Sequence, residues 1–205
     1  LVRDQLLAEH PEAELYLVDT LQASVAEGLL VYEAIQQRDK GLTARELAEW
    51  ASEARFFVDA EFMVEDLESL RRGGRIPGSV AYAGSKLDVK PLLTIATDGK
   101  LSLSGVARGR KKQLVEYYQR RVAKEGPGRC VVVAHDDCQK DADRLKEMLA
   151  RLDESILFLE CDIGPVIGSH VGPGMIAVVF WGSDRREELS VADRIARKVK
   201  GTSED

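Results

Sequence analysis

KPLLTIATDGKLSLSGVA, residues 90–107, is the stretch that decides the fold. Two largely apolar runs, Lys90–Thr97 and Lys100–Ala107, flank the pair Asp98-Gly99. An Asp-Gly pair between two such runs is the strongest short-range signal for a β-hairpin. Helical patterns and short apolar runs alternate after it, so the sequence predicts an α+β unit with a mixed or antiparallel sheet.

The elements expected downstream of this hairpin alternate between helix and strand. They are a helix from 109 to about 124, a strand at 130–134, a helix at about 140–152, a strand at 156–160, a short helix at 165–171, a strand at 175–181 and a charged helix at 184–200.

The residues upstream of the hairpin have the pattern of a parallel α/β unit. Residues 2–9 are helical in pattern, and the apolar run Leu15–Val18 predicts a buried strand. A helix is expected over 24–37, and a capping box of Thr43 and Glu46 begins the next one, which reaches about residue 54. Strand and helix alternating in this way indicate a partial parallel α/β unit.

Two domains and a tail are expected from these patterns. Residues 1–74 are the C-terminal portion of a first α/β domain, residues 75–183 form the second, α+β domain, and residues 184–205 form a charged helix and tail. The chain opens without Met, and LVRDQLLAEH has the pattern of a helix already under way. We therefore expect the natural protein to carry a further N-terminal segment.

Composition excludes some classes of function. The 205-residue chain has a net charge of −6, which argues against broad nucleic-acid binding. Its three cysteines show no CxxC spacing, which favours a reduced, cytoplasmic setting. The uncharged run 163–182 is long enough to span a bilayer, but Gly172-Pro173-Gly174 divides it into halves that are too short. No transmembrane segment is expected.

The run IGPVIGSHVGPG, residues 163–174, holds three glycines spaced four apart: Gly164, Gly168 and Gly172. This spacing leaves one helix face bare, at roughly 1 kcal/mol per internal glycine. The bare face indicates either tight packing against a neighbour or room for a thin ligand. His170, the one ionisable residue of the run, is either a packed side chain or a neutral donor to a ligand oxygen.

The segment VDTLQAS, residues 18–24, is the second candidate site. Ser24 is suited to be the N-cap of the following helix. A helix N-terminus after a strand is also where anionic head groups dock, and Thr20 and Ser24 offer hydroxyls for a carboxylate. Both interpretations stay open.

Two further clusters carry side chains that suit metal binding or partner docking. His135-Asp136-Asp137-Cys138 fits no standard zinc pattern, and its aspartates suit helix capping, so no metal site is expected. Seven positive charges within seventeen residues indicate either a solvated helix face or a docking patch for an acidic partner. They are Arg108, Arg110, Lys111, Lys112, Arg120, Arg121 and Lys124.

Several of these stretches together resemble the DegV family. They are VDTLQAS (18–24), DLESLRRGGRI (66–76), AGSKLDVKPLLTIATDGKL (83–101), RGRKK (108–112) and IGPVIGSHVGPG (163–174). The resemblance implies a two-domain α/β protein that holds a long-chain fatty acid in an inter-domain tunnel. It further implies a lipid-binding subunit of bacterial fatty acid kinase, with no cofactor and no enzymatic activity of its own. A separate ATP-dependent kinase phosphorylates the bound carboxylate to an acyl-phosphate for phospholipid synthesis, with transient membrane contact as a further implication.

The resemblance also assigns residues. Ser24 and His170 bind the carboxylate, with Thr20 beside them. The tunnel-lining residues are Gly164, Ile167, Gly168 and Gly172, and the partner-docking residues are Arg75, Arg108, Arg110, Lys111 and Lys112. Residues 1–13 match neither the family's TDS-type strand nor its Thr-Ser segment.

Two alternatives remain at this point. One is an enzyme for a phosphorylated or acidic small molecule, with His170 or His135 as general acid/base and arginines as an anion clamp. The other is an interaction module without a ligand, which predicts an inter-domain space filled by side chains.

Overall fold

The computed structural model describes residues 2–65, 67–76, 90–107, 110–122 and 130–187. The helices in these ranges are α1 (Val2–Glu9), α2 (Val25–Asp39), α3 (Ala44–Ala54), α4 (Glu68–Arg72), α5 (Arg110–Arg121), α6 (Gln139–Ala150) and α7 (Pro165–Val171), with a 3-10 turn at Arg185–Glu187. The strands are β1 (Val58–Met63), β2 (Lys90–Ile95), β3 (Leu101–Ala107), β4 (Cys130–His135), β5 (Leu157–Asp162) and β6 (Ile176–Trp181).

The six strands form one mixed sheet in the order β3-β2-β1-β6-β4-β5. The β4–β5 pair is parallel, whereas the other neighbouring pairs are antiparallel. The predicted α/β class with a mixed sheet is therefore confirmed. Strand β1 precedes residue 74 and lies in the middle of the sheet beside strands that follow it, so the sheet crosses the expected boundary, and the division into domains stays a prediction.

Two local sequence patterns have the structures that they predict. Strands β2 and β3 pair as a hairpin around Asp98-Gly99, with Gly99 at φ 80° and the Asp98 carboxylate accepting the Lys100 backbone N–H at 3.1 Å. At the start of α3, the Thr43 hydroxyl accepts the Glu46 N–H, and the Glu46 carboxylate accepts the Thr43 N–H at 2.8 Å. Both the hairpin and the capping box are confirmed.

Helices cover both faces of the sheet, so its central strands β1, β4 and β6 are buried along their whole lengths. Helices α5 and α6 pack on one face around a single apolar cluster. Helices α2, α3, α4 and α7 cover the other face, where the buried residues fall into two separate clusters. Members of both clusters line the candidate site.

The strand predicted at Leu15–Val18 is wrong. These residues have no regular secondary structure, and Leu17 is 77% exposed. No described strand lies beside them to take their backbone N–H and C=O groups, and an apolar run becomes a strand only where such a partner exists.

Strand β1 (VDAEFM) carries two acids into the interior. Asp59 accepts hydrogen bonds from Arg121 at 2.9 Å and from the Tyr117 hydroxyl at 2.6 Å. Burial raises the pKa of Asp59, and Arg121 and Tyr117 oppose that rise. Arg121 is only 7% exposed, so its inclusion in a surface patch of positive charge was wrong. A buried ion pair needs both partners, because either charge alone is strongly destabilising in the interior.

The segment after β6 is fixed to the ends of two strands. The buried Arg185 guanidinium donates to the carbonyl oxygens of Val58, at 3.0 Å, and Ile95. Residues 185–187 form a 3-10 turn, and the remainder of the helix predicted for 184–200 lies outside the described residues.

Candidate functional site

A cavity of about 500 Å³ lies between the sheet and the helices α2 and α7. Its floor is the sheet face formed by Ala60 and Phe62 of β1, Ile95 of β2, and Ala177 and Val179 of β6. The other lining residues are Ala23, Ser24, Val25, Ala26, Leu70, Gly74, Arg75, Gly99, Lys100, Leu101, Ile163, Ile167, His170, Val171 and Met175. The lining is mostly apolar with a few polar groups, which is the usual composition of a small-molecule site.

Ser24 stands at the N-terminus of α2, where residues 23–26 line the cavity. Its backbone has φ 56° and ψ −130°, and its hydroxyl does not cap the helix, contrary to the N-cap interpretation. A non-glycine residue in this region stores roughly 1–3 kcal/mol of strain, and such strain is concentrated at functional sites. The strained turn leaves the hydroxyl beside the helix N-terminus, where the helix dipole favours an anion.

The loop before Ser24 is fixed from two sides. The Gln22 side chain donates to the carbonyl oxygens of Arg55, at 3.3 Å, and Val58, at 3.0 Å. Leu21 lies against Gly99 of the hairpin turn, where a Cβ would be 3.4 Å from Leu21 Cδ2. Ser24 is therefore held in place by the start of β1 and by the β2–β3 turn, neither of which the motif itself reveals.

Thr20 lies in the same loop but does not line the cavity. Its hydroxyl accepts the backbone N–H of Gln22 at 3.3 Å, a local turn interaction. The structure therefore brings together two of the three residues predicted for the carboxylate site, Ser24 and His170. Their role as carboxylate ligands stays a prediction.

His170 lies in the last turn of α7, is half-buried, and lines the cavity. Its ring packs against Gly73 at the end of α4: a Cβ on Gly73 would overlap Nδ1 and lie 3.1 Å from Cε1. Sequence reasoning identified the histidine but missed this glycine. The only signal for it was the Gly-Gly pair that ends the short helix.

The three predicted tunnel-lining glycines are not among the cavity-lining residues, whereas Ile167 is. Gly164 precedes α7 with open space around it, and Gly168 faces Asp136, where a Cβ would lie 3.3 Å from Oδ2. Gly172 ends the helix at φ 73°. The bare helix face does not border the cavity. Close packing and helix termination explain part of it instead.

Two basic residues line the cavity. Arg75 is exposed and donates to the Gly73 carbonyl oxygen at 3.0 Å. Lys100, which sequence reasoning did not single out, has its Nζ 3.1 Å from an Asp98 carboxylate oxygen. Its backbone N–H and ammonium together hold the pKa of Asp98 below the ordinary value. The charge of Lys100 is thus balanced by Asp98, and Arg75 is the basic side chain of the lining that suits an anionic head group.

The other predicted docking residues belong to the α5 region. Lys111 pairs with Asp141 at 2.6 Å, whereas Lys112 is largely exposed, with its Nζ 3.7 Å from Glu116. Arg110 begins α5, and Arg108 lies outside the described residues. Lys112 is therefore the more accessible of the two described lysines.

His135 lies away from this cavity, at the end of β4. Its Nε2 is 3.1 Å from Gln139 Oε1 and within 3.7 Å of carboxylate oxygens of Glu160 and Asp162. Across the ranges that the structure describes, no group of three His, Cys, Asp or Glu residues has the arrangement of a metal site. In those same ranges, no helix combines the length and the apolarity that a bilayer crossing needs.

Comparisons with known proteins agree with this architecture. The profile of the DegV family, described as uncharacterised proteins, matches residues 2–182. A DegV domain-containing protein of Clostridium perfringens is 37% identical over 188 residues, covering 90% of this chain and 64% of that protein. The chain thus spans just under two thirds of the length of this curated relative.

Solved structures show the same fold. The fatty acid kinase (Fak) B3 protein of Streptococcus pneumoniae, loaded with linoleic acid, aligns with a TM-score of 0.78 at 17% identity, over 87% of this chain and 64% of that one. A fatty-acid-binding DegV family protein of Thermus thermophilus aligns at 0.70 with 25% identity, over 87% and 64%. From the profile match over most of its length and the identity to curated relatives, this chain belongs to the DegV family.

Proposed function

We propose that the chain binds a long-chain fatty acid in the cavity between the sheet, α2 and α7. The observation that carries the proposal is that Ser24, at a helix N-terminus, and His170 line one cavity whose remaining walls are mostly apolar. An apolar pocket with a small polar group at its wall suits a ligand with one polar end and a long hydrocarbon part. A cavity in this position also argues against the interaction module, which predicts filled space.

The energetics of this ligand are reasonable for the cavity. A volume of about 500 Å³ lies within the range of ordinary ligand pockets. Burying a sixteen-carbon chain gains on the order of 12 kcal/mol, at about 0.8 kcal/mol per methylene. The loss of translational, rotational and chain freedom costs roughly 4–15 kcal/mol, which leaves ordinary affinity.

In the proposed complex, the carboxylate of the fatty acid lies next to Ser24 and His170. The N-terminus of α2 offers the positive end of the helix dipole, and the Ser24 hydroxyl adds a donor. The imidazole of His170 supplies a second donor, and the exposed Arg75 adds positive charge to the lining.

The finer part of the proposal is presentation of the bound carboxylate to a separate ATP-dependent kinase in a bacterial cytoplasm. The structural similarity to the fatty acid kinase (Fak) B3 protein supports it. The exposed Arg75, which lines the cavity, offers a contact for such a partner, whereas Lys112 on α5 lies on the other face of the sheet. In this role the chain binds and presents a substrate and transfers no phosphate itself.

The enzyme alternative receives less support. His135 does not line the cavity, so only one of its two candidate acid/base residues is available there. The mostly apolar lining suits hydrocarbon better than a phosphorylated, strongly hydrated substrate.

The test is calorimetric titration with palmitate of the chain and of Ser24→Ala and His170→Ala. Each variant is expected to lose about 1–3 kcal/mol of binding free energy, because each leaves the carboxylate one donor short. Ser169→Ala, an exposed hydroxyl on the same helix, and His10→Ala, an exposed histidine near α1, are the matched controls. Unchanged affinity in both site variants would remove the site assignment, and an absence of palmitate binding to the parent chain would remove the proposal itself.

A further inference from the structure

Two consecutive glycines, Gly73 and Gly74, follow α4, and the structure explains the presence of each glycine differently. Gly74 has φ 67°, a conformation that disfavours side chains, and a Cβ there would meet nothing within 4 Å. Gly73 has φ −72° and ψ −2°, an ordinary helical backbone that alanine adopts readily. Backbone freedom therefore explains Gly74 but not Gly73.

The space around Gly73 is occupied by a site residue. A Cβ at this position would overlap His170 Nδ1 and lie 3.1 Å from Cε1 and 3.4 Å from the Ser69 carbonyl oxygen. Real Cβ atoms do not approach a ring this closely, so the imidazole would have to move. A half-buried side chain moves more readily than backbone, and the ring of His170 is the part that gives way.

Helices α4 and α7 are packed together at this point. Beside the contact between Gly73 and His170, a Cβ on Gly172 would lie 3.5 Å from Ser69 Oγ. The edge of the imidazole that carries Nδ1 and Cε1 therefore lies against the end of α4. The same residue lines the cavity, so the position of this edge decides how the ring meets the cavity.

We propose that Gly73 is a positioning residue for His170: its missing side chain leaves room for the Nδ1 and Cε1 atoms of the ring against α4, so that Nε2 remains to donate to the ligand head group. The inference rests on the proposed function for its ligand, but the ring position itself is independent of any ligand. It also links the site to Arg75, because that side chain donates to the carbonyl oxygen of the same Gly73.

The experiment compares Gly73→Ala with the parent chain by NMR of the imidazole C–H groups. The chain contains three histidines, His10, His135 and His170, so three sets of signals report on the whole protein. The variant is expected to shift the His170 signals and to leave the other two unchanged. It is also expected to weaken palmitate binding by roughly 5- to 150-fold, as the loss of one head-group donor would.

A double-mutant cycle separates positioning from general damage. In a His170→Ala background, Gly73→Ala should cause no further loss of palmitate affinity, because the ring that it displaces is gone. Gly28→Ala is the matched glycine control: Gly28 is an exposed residue of α2 where an added Cβ would meet nothing within 4 Å outside its own helix backbone. This variant should leave both the His170 signals and the affinity unchanged. Gly74→Ala should lower stability through backbone strain while leaving the His170 signals in place.

Each adverse outcome is decisive. Unshifted His170 signals in Gly73→Ala, or an equal loss of affinity in the His170→Ala background, would overturn the positioning role. If Gly73→Ala does not fold, Gly73→Ala/His170→Ala must fold, since it lacks the overlap, and its failure would overturn the inference too. If the parent chain does not bind palmitate, the proposed function fails, and the NMR comparison still decides whether Gly73 places the ring.

Discussion

Replacing Ala60 by leucine should shorten the fatty acid that the cavity accepts. Ala60 lies on the central strand β1, pairs with Val179 of β6, and lines the cavity floor at 5% exposure. Leucine adds three carbons to a space that is otherwise open to ligand, so about three methylenes of a long acyl chain lose their place. At about 0.8 kcal/mol per buried methylene, the loss is roughly 2.4 kcal/mol, or 60-fold in Kd.

The assay is calorimetric titration with saturated fatty acids of sixteen and thirteen carbons. The parent chain should prefer the longer acid, whereas Ala60→Leu should lose most of that preference and bind the shorter acid as the parent does. Thermal unfolding of the ligand-free variant should show no loss of stability, because the added carbons enter existing space. Equal weakening for both acids, or no change for either, would refute the placement of the acyl chain over β1.

Two further predictions concern buried carboxylates. Asp59→Ala should lower the free energy of unfolding in urea by about 3–5 kcal/mol, because it leaves the Arg121 charge buried without its partner; a loss below 1 kcal/mol would contradict this. Glu33→Gln should raise the free energy of unfolding at pH 7 by about 1 kcal/mol. The reason is that burial raises the pKa of Glu33, and its Oε2 has no hydrogen-bond partner in the described structure. Because the pKa of Glu33 is raised in the folded state, the stability of the parent chain increases as the pH falls through the folded pKa towards 4.5. Urea titrations should therefore show that the stability advantage of Glu33→Gln disappears below pH 4.5.

Local sequence signals were sufficient for most helices and strands. The hairpin at Asp98-Gly99 and the capping box of Thr43 and Glu46 are determined by neighbouring residues alone, so they were predictable from short stretches. The apolar run Leu15–Val18 is different, because a strand also needs a partner strand, and a short stretch of sequence carries no information about one.

Strand β1 shows why alternation misleads when both faces are buried. Asp59 and Glu61 alternate with apolar residues as solvent-facing side chains would. In the fold they are both 2% exposed, because Arg121 and Ser104 supply them with partners from distant parts of the chain. Such pairs depend on tertiary contacts and cannot be deduced from spacing.

The motif residues of the candidate site could be predicted from the sequence, but the residues that form its walls could not. Ser24 and His170 stand in recognisable stretches, and the structure brings both to one cavity. The floor of the cavity depends on the strand register, which pairs small residues such as Ala60 and Ala177 with larger residues on the neighbouring strand. Gly73 was missed because nothing in its own neighbourhood indicates a contact with a residue almost one hundred positions later.

The two glycines after α4 carry different expectations for sequence variation among related proteins. Position 74 needs a left-handed backbone, so asparagine or aspartate there is compatible with the same fold. Position 73 needs empty space over an imidazole, so any larger residue there should appear only together with a residue other than histidine at position 170. Of these two adjacent glycines, we therefore expect position 74 to vary alone and position 73 to covary with the binding site.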